Sequence, residues 1–163
     1  MKTKTHFLLG AGISWISGAQ ITHEAAMASL LGILGGVSAV IPDMDLIFAA
    51  ADEKAHRSQF SHSLGSSLVI AAAMMIPCVL IVRYTGFVLS NWWIAPIFAS
   101  LFLSTFSHPA TDSLTRAGTR LLWPISNRRF RGDFKYNDIV ANSALSVLGL
   151  ILIVAAVTCT EFL

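Results

Sequence analysis

The chain has 163 residues, of which 55% are hydrophobic and 12% are charged, and its formal net charge is +2. Soluble domains carry about 25% charged residues, so a soluble fold of this composition would expose large apolar patches to water. The composition therefore excludes an ordinary soluble protein and favours one membrane-embedded domain over residues 1–163. The small net charge gives no indication of nucleic-acid binding, and we expect none.

Five apolar stretches follow one another along the chain, each near the length of about 20 residues that a spanning helix needs. They cover residues 6–20, 25–41, 63–83, 92–112 and 139–160. The third and fifth are the clearest, because Leu64 to Val82 and Ile139 to Val157 contain no charged residue. We predict an all-α, polytopic transmembrane bundle with about five membrane segments. A re-entrant hairpin is the alternative for the first two segments, which are the shortest.

The distribution of Lys and Arg predicts the orientation, because basic residues are retained on the cytoplasmic side of short loops. With five spans, the N-terminus and the loops 42–62 and 113–138 share one side. That side holds ten basic residues: Lys2, Lys4, Lys54, Arg57, Arg116, Arg120, Arg128, Arg129, Arg131 and Lys135. The other side holds Arg83. We therefore expect a cytoplasmic N-terminus in a bacterial inner membrane, although Lys2 and Lys4 before an apolar stretch also fit a signal peptide.

Ionisable side chains lie at the cytoplasmic end of the predicted bundle. They are His6, Asp43, Asp45, His56, His62, His108 and Asp112. Ionisable groups in or near a membrane are costly and are usually paired or ligated, so seven of them at one depth indicate a common cause. A divalent metal ion is such a cause, because imidazoles and carboxylates together bind zinc, manganese or iron. His23 falls on the opposite side, and we assign it no role.

Each of these residues also has a plainer interpretation when taken alone. His6 would be an interfacial residue, Asp43 and Asp45 the solvated end of a helix, and His56 a lipid headgroup contact. His108 and Asp112 stand four residues apart, which places both on one face of a helix. Their joint occurrence on one side of the membrane favours the metal site.

Basic residues beside this cluster supply candidates for binding a substrate anion. Arg116, Arg120 and the run at 128–131 stand beside the proposed metal site, where they could hold phosphate oxygens by bidentate contacts. For the run at 128–131 we prefer a role in topology and in attracting anionic lipid. Arg57, next to His56, is the favoured substrate contact.

The ordered set of short motifs resembles the YdjM/YbcI family of inner-membrane proteins, which are regarded as metal-dependent hydrolases. The motifs are Thr5-His6, Pro42-Asp43-Met44-Asp45, His56-Arg57, Ser61-His62-Ser63-Leu64, Ser107-His108-Pro109-Ala110-Thr111-Asp112, Thr115, Gly118, Leu121-Leu122-Trp123-Pro124 and Arg128-Arg129-Phe130-Arg131. The resemblance runs from residue 6 to about residue 131. It implies a divalent metal cofactor, zinc before manganese or iron, and a hydrolase activity.

These observations combine into one functional hypothesis: metal-assisted hydrolysis of a phosphoester or related bond in a lipid or lipid-linked substrate at the cytoplasmic face. The expected metal ligands are Asp45, His62, His108 and Asp112, with His6 as a further ligand or a partner of one. The expected catalytic residues are Asp43 as an orienting group or general base, His56, and Arg57 against the substrate anion. Ser63 and Thr115 are expected to orient ligands, and Ser63 is equally suited to cap a helix.

Two other classes of function remain open on the sequence. One is a non-catalytic ion-binding membrane protein, such as a transporter or an assembly factor. A transporter is expected to carry ionisable groups near the membrane midplane, and the uncharged middles of the third and fifth segments disfavour it. The other is a structural bundle in which the polar cluster only stabilises helix ends.

Overall fold

The computed structural model describes residues 1–45, 58–86 and 91–161. Within these ranges the fold is all-helical, as predicted, and contains no β-strand. Its helices are α1 (Thr3–Thr22), α2 (Ala25–Val40), α3 (Leu64–Thr85), α4 (Ile94–Ser113) and α5 (Ile139–Glu161). Each helix coincides with one of the five apolar stretches, because each stretch is long enough for a helix and is bounded by polar or turn residues.

Three helical segments among the described residues are long and apolar enough to cross a membrane. They are Ala25–Met44, Leu64–Thr85 and Ile139–Cys159. The first consists of α2 and the 3-10 turn Ile41–Met44 that continues it. These segments support a membrane protein, and the expected number of about five spans stays a prediction, since α1 and α4 do not reach the same hydropathy.

The lower hydropathy of α1 and α4 comes partly from hydroxyl side chains that the bundle buries. Ser14 of α1 and Ser104 of α4 join their hydroxyl groups at 2.7 Å, and Ser104 Oγ also donates to the Gly10 carbonyl at 2.7 Å. Ser100 Oγ donates to Ser14 Oγ at 3.1 Å. Such hydrogen bonds satisfy polar groups between helices where lipid cannot. These hydrogen bonds therefore join α1 to α4 inside the bundle.

Apolar side chains point outward on α3 and α5. Val69 and Ile76 of α3 are 70% and 63% exposed, and Val154 of α5 is 63% exposed. Exposed apolar side chains along two helices are the surface that lipid covers. Inside, α2, α3 and α4 share an apolar core of Met27, Leu31, Leu34, Ala71, Met74, Cys78, Val82, Ile97 and Leu101. Cys78 is thus a core residue, and both cysteines are free.

Glycines allow α1 to pack closely against two neighbours. A Cβ atom on Gly10 would collide with the Ala39 side chain and come within 2.9 Å of the Gly35 carbonyl of α2. A Cβ atom on Gly12 would collide with the Gly149 backbone of α5. Both obstacles include backbone atoms, so only the helices themselves could move. These glycines therefore set the spacing of α1 from α2 and from α5.

The segment 114–138 folds across the end of the bundle where α3 begins. Thr119 and Phe130 exchange backbone hydrogen bonds of 3.0 and 2.8 Å. The backbone N–H of Leu64, in the first turn of α3, donates to the Leu121 carbonyl at 2.7 Å. Free N–H groups at a helix start need such acceptors. The segment is therefore an ordered cover and not a simple connecting loop.

Candidate metal centre

Side chains from four parts of the chain meet at the covered end of the bundle. His6 lies near the start of α1, Asp43 follows α2, His62 precedes α3, and His108 lies near the end of α4. Successive helices alternate in direction, so these ends come together. His62 Nε2 and His108 Nε2 are 3.1 Å apart, and both side chains are fully buried. The structure therefore brings His62 and His108 together, as the sequence led us to expect.

The hydrogen bonds of His108 identify which of its ring nitrogens carries the proton. His108 Nδ1 lies 2.7 Å from the Ala39 carbonyl oxygen. A carbonyl oxygen only accepts hydrogen bonds, so Nδ1 is the donor. In the neutral imidazole, Nε2 then carries a lone pair. Metal-ligating histidines are commonly held in this way, with the outer N–H on a backbone carbonyl.

His62 is held in the same tautomer by a different device. Ser61 Oγ donates to Asp45 Oδ2 at 2.6 Å, so the Ser61 oxygen is available to accept from His62 Nδ1 at 2.8 Å. Asp45 Oδ2 itself lies 3.4 Å from His62 Nδ1. A carboxylate behind a histidine ring fixes the ring and raises the basicity of the inner nitrogen. In the neutral ring, His62 Nε2 therefore also carries a lone pair.

Two carboxylates face the paired lone pairs. Asp43 Oδ1 lies 3.4 Å from His108 Nε2 and 4.0 Å from His62 Nε2. Asp112 Oδ2 lies 4.0 Å from His108 Nε2 and 3.9 Å from His62 Nε2. Two neutral imidazole lone pairs and two carboxylates repel one another unless a proton or a metal ion lies between them.

The spacing of these atoms matches the ligand set of a metal ion. Zinc binds imidazole nitrogen and carboxylate oxygen at about 2.0–2.2 Å, so the ligand atoms of a tetrahedral site are separated by about 3.3–3.6 Å. The distances among the four residues fall on either side of this value. His62, His108 and Asp112 also form a group whose ligand atoms all lie within 4.8 Å of one another. The residues present therefore fit a divalent ion.

His6 lies beside this set and is equally buried, with 1% of its surface exposed. Its ring is stacked on that of His108, with the centroids 3.7 Å apart. His6 Nε2 lies 3.4 Å from Asp112 Oδ1, and the ammonium group of Met1 contacts the same oxygen. His6, Asp43 and His108 form a second group with ligand atoms within 4.8 Å.

The two aspartates of the 41–45 segment lie on different sides of the histidines. Asp43 turns Oδ1 towards both Nε2 atoms, while its Oδ2 accepts from Thr3 Oγ1 at 2.8 Å. Asp45 faces the outer nitrogen of His62 instead. The 3-10 turn Ile41–Met44 produces this difference, because it turns the backbone between the two residues.

Of the remaining expected site residues, two lie outside the described residues and two lie next to residues of the site. His56 and Arg57 lie outside the described residues, so their expected catalytic roles stay predictions. Ser63 is the N-cap of α3, where its Oγ accepts from the Ser66 N–H at 3.2 Å. Thr115 Oγ1 donates to the Asp112 carbonyl at 2.7 Å, which ties the segment after α4 to the residue bearing the carboxylate.

Three contributors to the site were not singled out by sequence reasoning. They are the Ala39 carbonyl, the Ser61 hydroxyl and Thr111, whose Oγ1 lies 3.3 Å from His6 Nδ1. Ser61 and Thr111 stand within the motifs that contain His62 and His108, so their sequence neighbourhood was a signal. The Ala39 carbonyl could not be predicted, because every residue has a backbone carbonyl and the sequence does not distinguish one from another.

A cavity of about 990 Å³ opens beside Asp43. Five basic residues line it: Lys2, Lys4, Arg116, Arg129 and Lys135. Thr115 lines the same cavity. A cavity with several cations next to a carboxylate-rich centre is suited to an anionic ligand.

Comparison with known protein families gives a match over nearly the whole chain. The model of the YdjM inner membrane protein family matches residues 1–162 of the chain. No curated protein and no solved structure is similar enough to match it. The resemblance that the motifs indicated over residues 6 to about 131 is thereby confirmed over nearly the whole chain.

Proposed function

The chain belongs to the YdjM inner membrane protein family, and from this premise we propose that it is a metal-dependent hydrolase of a phosphoester or related bond. Its substrate is a lipid or lipid-linked molecule, such as a phospholipid. The one observation that carries the metal is the pair of buried Nε2 lone pairs, 3.1 Å apart, that face two carboxylates.

In this proposal His62, His108, Asp43 and Asp112 hold the ion. Asp43 thus takes the ligand position that the sequence suggested for Asp45, because its Oδ1 lies 3.4 Å from His108 Nε2. Asp45 orients His62 through the outer ring nitrogen. Zinc is the favoured metal, since a set of two imidazoles and two carboxylates suits it, and manganese or iron are the alternatives.

The residues of the chain divide the remaining work. When bound, the ion would lower the pKa of a water molecule towards neutrality and polarise the bond to be broken. The Ala39 carbonyl and the Asp45 carboxylate keep His108 and His62 in the tautomer that presents Nε2 inward. Thr3 Oγ1 holds the outer oxygen of Asp43. These contacts preorganise the site before substrate arrives.

The cation-lined cavity supports a phosphate-bearing substrate. Arg116, Arg129 and Lys135 line it together with Asp43, so an anion in the cavity would lie beside the ligand set. Guanidinium groups bind phosphate oxygens in pairs, which orients the phosphate as well as attracting it. The expected contact by Arg57 and the expected catalytic role of His56 belong to the same proposal.

The membrane supports a lipid or lipid-linked substrate. We propose a multi-pass protein of the bacterial inner membrane with a cytoplasmic N-terminus, because the described basic residues gather at the end of the bundle that bears the metal ligands. Arg83 lies at the opposite end, in the last turn of α3. The site would then lie near the headgroups of the inner leaflet, with membrane lipids as its immediate partners.

The test is hydrolysis by the purified full-length chain in lipid vesicles. Phospholipids and lipid-linked phosphates are supplied with zinc or manganese, with and without a chelator. We expect turnover of at least one class that disappears with chelator and with Asp112→Ala, while the exposed Asp133→Ala control keeps it. Turnover that survives both treatments would overturn the proposal. Bound metal without turnover of any phosphate-bearing lipid would instead favour a non-catalytic ion-binding protein.

A further inference from the structure

We infer that the site holds a second divalent ion, bound between His6 and Asp112, so that the Asp112 carboxylate bridges two ions. The inference rests on the proposed function for its first ion and extends it to a two-ion site. It is carried by the hydrogen bonds of His6 and by the directions of the two carboxylate oxygens of Asp112.

The hydrogen bonds of Thr111 determine the tautomer of His6. Thr111 Oγ1 donates its single hydrogen within α4, with the Ser107 carbonyl at 2.9 Å as the nearest acceptor. At 3.3 Å from His6 Nδ1, the Thr111 oxygen therefore accepts, and Nδ1 is the donor. In the neutral ring, His6 Nε2 then carries a lone pair that points into the site.

A metal ion would give this lone pair a partner. Among the residues that the structure describes, His6 Nε2 has no hydrogen-bond partner although it is buried. Its near neighbour is Asp112 Oδ1 at 3.4 Å, which is also an acceptor. Buried polar atoms without partners are rare and costly. A metal ion between the nitrogen and the oxygen would give His6 Nε2 its partner, and the 3.4 Å separation of the two atoms suits two ligands of one ion.

Asp112 is oriented to serve two ions. Its Oδ2 is the oxygen near His62 and His108, at 3.9 and 4.0 Å, whereas its Oδ1 is the oxygen near His6. One carboxylate therefore presents a different oxygen to each set of histidines. Asp43 belongs with His6 and His108 to a group whose ligand atoms lie within 4.8 Å, so it is a further ligand for the second position.

The separation of two stacked histidine rings fits the distance between two metal ions. The rings of His6 and His108 are stacked at 3.7 Å with an angle of 23° between their planes. Two ions in hydrolytic sites commonly lie about 3.5–4 Å apart. Stacked rings that each direct a nitrogen inward would place their ions at a similar distance. Such pairs of ions are typical of sites that act on phosphoesters.

One cation already contacts the second position. The Met1 ammonium group contacts Asp112 Oδ1, which shows that this oxygen attracts positive charge. A single-ion site with the ammonium as permanent counter-charge is the competing arrangement. In that arrangement His6 Nε2 carries the proton and faces Asp112 Oδ1 at 3.4 Å, and one metal ion per chain is expected.

The test measures metal content per chain without relying on turnover. The full chain, tagged at its C-terminus, is loaded with zinc or manganese, freed of excess metal and analysed by mass spectrometry. We expect about two equivalents for the unmodified chain and for His23→Ala, and about one for His6→Ala. In the manganese form, we expect an exchange-coupled electron paramagnetic resonance signal that His6→Ala converts to that of an isolated ion.

A second variant covers a failure of His6→Ala to fold. Thr111→Val removes the acceptor of His6 Nδ1 and leaves the other histidines untouched, so it should weaken the second ion about 10–100-fold and spare the first. One equivalent in the unmodified chain, or two in His6→Ala, would overturn the second ion and leave the proposed function standing. Absence of bound metal in the unmodified chain would overturn both.

Discussion

The different positions of Asp43 and Asp45 lead to losses of metal affinity of different size in two conservative variants. Asp45→Asn removes a carboxylate that receives the Ser61 hydroxyl at 2.6 Å and lies 3.4 Å from the outer nitrogen of His62. Loss of such an orienting group typically weakens metal binding about 10–100-fold. This corresponds to about 1.4–2.7 kcal/mol of binding free energy.

Asp43→Asn removes a charged oxygen that lies 3.4 Å from His108 Nε2. The amide that replaces it has nearly the same volume, but it lacks the negative charge of a carboxylate and is a weaker metal ligand. We therefore expect metal affinity to fall by more than about 100-fold, beyond the range for an orienting residue. The order of the two effects, with Asp43 above Asp45, follows from the positions of the two carboxylates.

The assay is competition for zinc between the purified protein and a chromogenic chelator of known affinity. Asp133→Asn provides the control, because Asp133 is exposed and its backbone carbonyl, not its carboxylate, accepts from Arg116 Nε. Circular dichroism verifies that each variant keeps its helices. A larger loss for Asp45→Asn than for Asp43→Asn would refute the assignment drawn from the geometry and restore Asp45 as the ligand.

Three further predictions concern the scaffold and the cavity. Ser63→Ala should lower the free energy of unfolding by about 1 kcal/mol, since it removes the N-cap of α3; Ser29→Ala, whose hydroxyl is exposed, should change it little in the same thermal melts. Gly149→Ala should cost about 1–3 kcal/mol, because the added Cβ would meet the Leu8 backbone, whereas Val147→Ala on the exposed side should be nearly neutral. Arg116→Ala should weaken inhibition by inorganic phosphate a few-fold, in keeping with about 1 kcal/mol for an exposed ion pair; an unchanged inhibition constant would remove the cavity from the substrate path.

The helices could be predicted because their signal is local. Long apolar stretches predicted the positions of the five helices among the described residues. Because successive helices alternate in direction, the sequence also predicted that His62 and His108 lie close together. Which helices cross the membrane was harder to predict. The buried hydroxyl groups of Ser14 and Ser104 lower the hydropathy of α1 and α4, and the sequence does not say whether such groups face lipid or each other.

The roles of the site residues depend on geometry that spacing does not determine. Asp43 and Asp45 stand two residues apart in one turn, and the course of that turn decides which carboxylate faces inward. His6 was expected as a ligand or as a partner of one. Its tautomer depends on Thr111, whose hydroxyl direction depends in turn on the helical carbonyl of Ser107.

The central claim is that His62 and His108 bind the same ion through Nε2. X-ray absorption at the zinc edge of the purified, zinc-loaded chain tests it directly. We expect a shell of nitrogen and oxygen neighbours at about 2.0–2.1 Å, with outer-shell scattering from imidazole rings that declines in both His62→Ala and His108→Ala. Zinc bound without imidazole scattering, or a spectrum that neither substitution changes, would contradict the account.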